Sequence, residues 1–92
     1  MKNTVTQDDI YGLLTEAEAS VSTLYDKCTV VCVKLKNGFV LTESSACVDP
    51  ENYSESVGFE ECMKRIENKL WELEGYALQK KLYEEAQHDN HH

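Results

Sequence analysis

No histidine occurs before position 88, and the three present, His88, His91 and His92, share a polar ending, HDNHH, that resembles the remnant of a purification tag. A serine or thiol nucleophile needs a base within hydrogen-bond reach, so the body of the chain offers no Ser-His or Cys-His arrangement. Proline occurs once, and the four glycines are scattered at positions 12, 38, 58 and 75, which excludes a glycine-rich phosphate loop and a flexible linker. No stretch approaches the roughly 18 apolar residues of a membrane span, and MKNTVTQDDI has no apolar centre of signal-peptide length. Basic residues are also scarce: nine stand against 17 acidic ones, for a net charge of −8. Such a surface repels phosphate backbones, so direct nucleic-acid binding is disfavoured, and nothing points to a membrane. Solubility is the default meaning of the imbalance; binding a basic partner, or imitating a nucleic acid, is the sharper one.

What is present is ordinary for one soluble domain: 92 residues, 41% of them hydrophobic. A chain this small often finishes burying its apolar surface by self-association, so a homodimer is expected. The four cysteines, Cys28, Cys32, Cys47 and Cys62, are expected to be free thiols in a reducing cytoplasm, behaving as small hydrophobes.

Thr6 and Asp9 have capping-box spacing, and Ile10, Leu13, Leu14, Ala17, Val21 and Leu24 recur at helical spacing, which predicts an amphipathic helix over 7–24. Its outer face would hold Asp8, Asp9, Glu16 and Glu18, and residues 1–26 carry five acids against Lys2 alone. The period then changes to two. Val31, Val33 and Leu35 fall on one face of a strand, Asn37-Gly38 predicts a type I′ hairpin turn, and a second strand follows over about 39–44. DPEN is helix-initiating chemistry and predicts one short turn. From Phe59 a long helix is expected over about 57–86, its apolar stripe formed by Phe59, Met63, Ile66, Leu70, Leu73 and Ala77 and widened by Trp71, Leu78 and Leu82. Gly75 inside it implies a bend or a close backbone approach. The sum is an α+β fold, a single α-β-β-α domain over 1–87 with a disordered tail over 88–92. Both helices are expected to cover one face of the two strands.

The candidate chemistry is thin. Cys28 and Cys32 on an extended strand lie about 13 Å apart, too far for two ligands of one zinc. Ser44, Ser45 and Cys47 lack a base, and Glu72 and Glu74 stand about 200° apart on a helix, so they cannot act as a carboxylate pair. No catalytic, metal or cofactor site is expected. The candidate partner-binding residues are the acids Asp8, Asp9, Glu16 and Glu18, together with Trp71, Tyr76 and Tyr83, because aromatics dominate interface hot spots; core packing explains Trp71 equally well.

The segment TVVCVKLKNGFVLTESSACVDPENY, followed by Gly58 and KLWELEGYALQKKL, resembles a family of small tailed-bacteriophage proteins of unknown function, whose pattern joins NGF, SACV.P.NF, a glycine and IW.LEGY.L. Tyr53 stands where Phe is more usual, and Leu70 where Ile is. The resemblance covers about residues 29–82 and leaves the first helix outside its strong part. It implies a phage or prophage origin and a bacterial cytoplasm, and it supplies no catalytic residues. The functional expectation is a non-enzymatic accessory protein that binds a host, defence or phage protein; the alternative is a small oligomeric adaptor in phage replication or morphogenesis.

Overall fold

Thr6 opens the first helix, α1 (Gln7–Thr15), with a reciprocal capping box: its hydroxyl accepts the Asp9 N–H at 3.3 Å, and the Asp9 carboxylate accepts the Thr6 N–H at 2.8 Å. The computed structural model describes residues 3–89. α1 stops nine residues short of the helix expected over 7–24, because residues Glu18–Leu24 form a strand, β1. The positions that suggested helix continuation, Ala17, Val21 and Leu24, fit one face of a helix. Between them, however, EASVSTL places Ser20, Ser22 and Thr23, whose side chains compete with helix hydrogen bonds, and Val21 is itself β-branched. Pairing decides the outcome: as a strand this segment satisfies one whole edge of its neighbour, which a longer helix would leave open.

β1 pairs antiparallel with β2 (Cys28–Lys34), and β2 pairs antiparallel with β3 (Val40–Ala46), giving a three-stranded meander with β2 in the centre. The left-handed pair of turn residues lies between β1 and β2, where Tyr25 and Asp26 have φ of 55° and 56° and the Lys27 N–H bonds the Leu24 carbonyl at 3.2 Å. At Asn37-Gly38 the turn differs from the expected type I′. Only Gly38 has positive φ, at 96°. Leu35 and Phe39 close a three-residue loop through a 2.8 Å bond, and the Asn37 side chain accepts the Phe39 N–H at 2.9 Å.

Asp49 caps a single 3-10 turn at Pro50–Asn52, as DPEN predicts, by accepting the Glu51 N–H at 2.9 Å. Ser54 then opens α2 (Glu55–Asp89), its hydroxyl accepting the Val57 N–H at 3.3 Å. The helix takes in the first two residues of the disordered tail expected at 88–92, because its hydrogen-bonded turns continue to Asp89, and the remaining three lie outside the described residues. At 35 residues α2 is about 52 Å long, and it gives the molecule its extents of 66 × 21 × 19 Å.

The first half of α2 lies across β2 and β3 and buries Cys62, Ile66 and Leu70 against Val31, Val33, Leu35 and Leu41, while α1 adds Ile10 to the same core. The face of β2 read from its period of two is the buried one. Further coverage comes from Val5, Leu13, Leu14, Phe59, Met63 and Trp71. β1 lies outside this cover, and all seven of its residues are exposed. Lys69 of α2 pairs with Glu43 of β3, and the Arg65 guanidinium donates to the Ser44 carbonyl. No close approach occurs at Gly75 among the described residues: a β-carbon there would meet nothing within 4 Å.

Candidate functional site

Thr29 is the one buried polar residue among those described, and its hydroxyl begins a chain of hydrogen bonds where β1, β2 and the start of α2 meet. Thr29 and Tyr53 hydroxyls lie 2.6 Å apart, Tyr53 and Thr23 hydroxyls 2.8 Å, and the Thr23 hydroxyl donates to the Glu55 carboxylate at 2.6 Å. The ionised carboxylate can only accept, so it fixes the direction of the whole chain: Thr23 donates to Glu55, Tyr53 donates to Thr23, and Thr29 donates to Tyr53. The network ties the edge strand to the helix that does not cover it. Gly58 makes the arrangement possible, since its missing side chain lets the first turn of α2 settle against Thr29.

Beside this network Ser45, Cys47, Tyr53, Ser54 and Glu61 line a cleft of about 180 Å³. The Ser45 hydroxyl donates to Glu61, and the Cys47 thiol donates to the Asp49 carbonyl at 3.1 Å. No Lys, Arg or His lines this cleft among the described residues. Its groups are engaged in holding the strand–turn–helix joint together, so SSACVDPENY reads as architecture. Deeper inside, Cys62 is buried and its thiol approaches the Thr29 carbonyl at 3.8 Å. Burial pushes its pKa up and the Arg65 charge opposes the rise, so a reactive thiolate is disfavoured at this position.

The acidic residues expected on one helix face are distributed over three settings. Asp8 is exposed on α1, and Asp9 is half-buried and engaged in the capping box. Glu16 follows the end of α1 and pairs with Lys36 at 3.5 Å, and Glu18 begins β1. The four therefore do not form a single helical stripe, because the helix ends at Thr15. The aromatic candidates also separate: Trp71 is half-buried against the core, whereas Tyr76 and Tyr83 are 69% and 61% exposed on the distal part of α2. A groove of about 370 Å³ runs between α1 and that part of α2, floored by Val5, Leu13, Ala77 and Leu78 with Asp9, Glu74 and Lys81 at its sides. Leu73, 40% exposed, lies towards the sheet.

Thr23, Thr29 and Glu55 escaped the sequence reading. Gly58 stood out there only as the glycine of the family pattern, ahead of the helical spacing, and nothing along the chain pointed to its contact with Thr29.

The geometry is that of a small α+β scaffold whose longest element runs well past its own core and carries bare aromatic side chains. The chain belongs to the phage protein (N4 Gp49/phage Sf6 gene 66) family, whose model matches residues 2–82. The matched span takes in α1 and β1 as well as the segment from residue 29 onward. No curated protein and no solved structure matches the chain. No helix among the described residues is long and apolar enough to cross a membrane.

Proposed function

We propose that this phage protein is a non-enzymatic accessory factor that works in the cytoplasm of the bacterial host by binding another protein, a host or anti-phage defence factor that it inhibits or redirects. The observation that carries this reading is the distal part of α2, where Tyr76 and Tyr83 are exposed on a helix already held by the core at its other end. Tyrosine supplies contact area at low entropic cost and a polar tip that tolerates water before binding, which suits a surface that waits for a partner. The reading needs no metal, cofactor or nucleic acid, and a surface of net charge −8 suits a partner with a basic rim.

A small oligomeric adaptor in phage replication or morphogenesis is the second reading, favoured by the open edge of β1. The two separate on what the chain holds in infected cells. Tagged wild type and Tyr76→Ala/Tyr83→Ala are recovered from infected lysate, and the expected result is a stoichiometric host protein present with wild type and lost with the variant. A set of phage replication or virion proteins in its place would favour the adaptor, and equal recovery with both forms would remove the aromatic surface from the account. Reversing Asp8 and Glu18 to Lys should slow association and flatten its salt response.

A further inference from the structure

The two edges of the sheet are built differently. The Leu35 N–H bonds the Phe39 carbonyl, so in β3 the odd-numbered residues turn their backbone groups to β2 and the carbonyl of Ser44 faces outward. Arg65 donates to that carbonyl, and Glu43, paired with Lys69, adds charge to the same strand. Both are devices that discourage another strand from adding there.

At the opposite edge no side chain among the described residues bonds an outward backbone group, and the Glu55 carboxylate meets the strand only at the Thr23 hydroxyl. The Lys27 N–H bonds the Leu24 carbonyl, so the even-numbered residues of β1 face β2 and Ala19, Val21 and Thr23 turn their N–H and C=O groups away from the sheet. The register from Glu18↔Lys34 to Leu24↔Cys28 is unbroken and contains no bulge. EASVSTL has no proline and no basic residue, and its one charge is the first residue, Glu18.

We infer that β1 pairs with β1 of a second copy of this chain, antiparallel about a two-fold axis at Val21, joining two three-stranded sheets into one six-stranded sheet. The occupant follows from self-complementarity. Pairing about Val21 sets Val21 against Val21 and Ala19 against Thr23, so the three outward-facing residues of one copy meet the three of the other, and all their free N–H and C=O groups find partners. Val21, 39% exposed in the single chain, is covered by its twin. The two Glu18 side chains end six residues apart, about 20 Å, well beyond the roughly 8 Å screening length of physiological salt. For a chain of net charge −8, β1 brings a single charged residue of its own, Glu18, to the junction, and the one carboxylate bonded to its side chains, Glu55, is engaged by Thr23. α2 lies over β2 and β3, so the two-fold-related helices flank the junction without blocking it. The Thr23–Glu55 bond holds the edge in place before pairing. This inference is independent of the aromatic surface on α2.

Sedimentation equilibrium and amide hydrogen exchange on the full chain test it together. The expected result is a species of twice the 10.5 kDa chain mass, with the amides of Ala19, Val21 and Thr23 protected at high concentration and exchanging on dilution. Val21→Lys places two like charges opposite each other, and its expected result is a folded species of single-chain mass. Val21→Pro removes only an outward-facing N–H and should act in the same way, which guards against an effect peculiar to lysine. A single-chain mass for wild type up to millimolar concentration would overturn the inference. So would a dimer that survives both substitutions, or one in which those three amides exchange freely.

Discussion

Gly58 and Thr29 meet where the first turn of α2 crosses β2, and a β-carbon on Gly58 would stand 2.3 Å from the Thr29 hydroxyl oxygen and 2.8 Å from its β-carbon. Neither partner can move aside easily, because Thr29 is fully buried in the central strand and bonded to Tyr53. Gly58→Ala should therefore destabilise the fold by about 3 kcal/mol, although alanine is the better helix former. Urea denaturation checks this, and adding Thr29→Ala should relieve part of the loss, since it removes the nearest atom of the clash. A neutral Gly58→Ala would mean that α2 does not lie against Thr29 as described.

Tyr53→Phe removes the middle of the hydrogen-bond chain and leaves the buried Thr29 hydroxyl without its acceptor. The expected loss is about 1–2 kcal/mol. Thr29→Val in the same background should recover part of it, because a buried methyl makes no demand for a partner. Amide exchange should also quicken across β1, the strand this network anchors.

Tyr25 stands 86% exposed at φ 55°, a conformation that costs a bulky residue about 1–2 kcal/mol. Tyr25→Gly should stabilise the domain by up to about 1 kcal/mol in thermal or urea melts, the flexibility of the unfolded glycine offsetting the rest.

Cys62 titrates above the ordinary thiol range because it is buried. A raised folded pKa means that the unfolded state loses this proton first as pH climbs, so the stabilising contribution is complete below about pH 8.5 and is lost above it. Stability should decline from there towards the folded value, and Cys62→Ala should reduce that decline. In thiol-labelling kinetics Cys28, Cys32 and Cys47, all half-buried, should react before Cys62.

The core of the fold is legible in the sequence because period and chemistry agree there. Val31, Val33 and Leu35 alternate and are buried, DPEN caps a turn, and Phe59 to Leu70 keeps helical spacing onto the sheet. β1 was hidden because Ala17, Val21 and Leu24 satisfy a helical period, and only the vacant edge of β2 decides against it. The polar joint was hidden for a different reason. Thr23, Thr29, Tyr53 and Glu55 are brought together by strand pairing and a helix start, and no spacing along the chain encodes that meeting. Tyr76 and Tyr83 were legible as aromatics, while their exposure depended on α2 continuing beyond the sheet.

The most direct test of partner binding is photocrosslinking during infection, with p-benzoylphenylalanine in place of Tyr76 or Tyr83 and, as a control, in place of exposed Lys64 nearer the start of α2. The expected result is one dominant adduct to a protein other than this chain from both tyrosine positions and none from the control. Adducts from all three positions alike, or only to nucleic acid or to a second copy of the chain, would contradict a partner-binding surface on the distal part of α2.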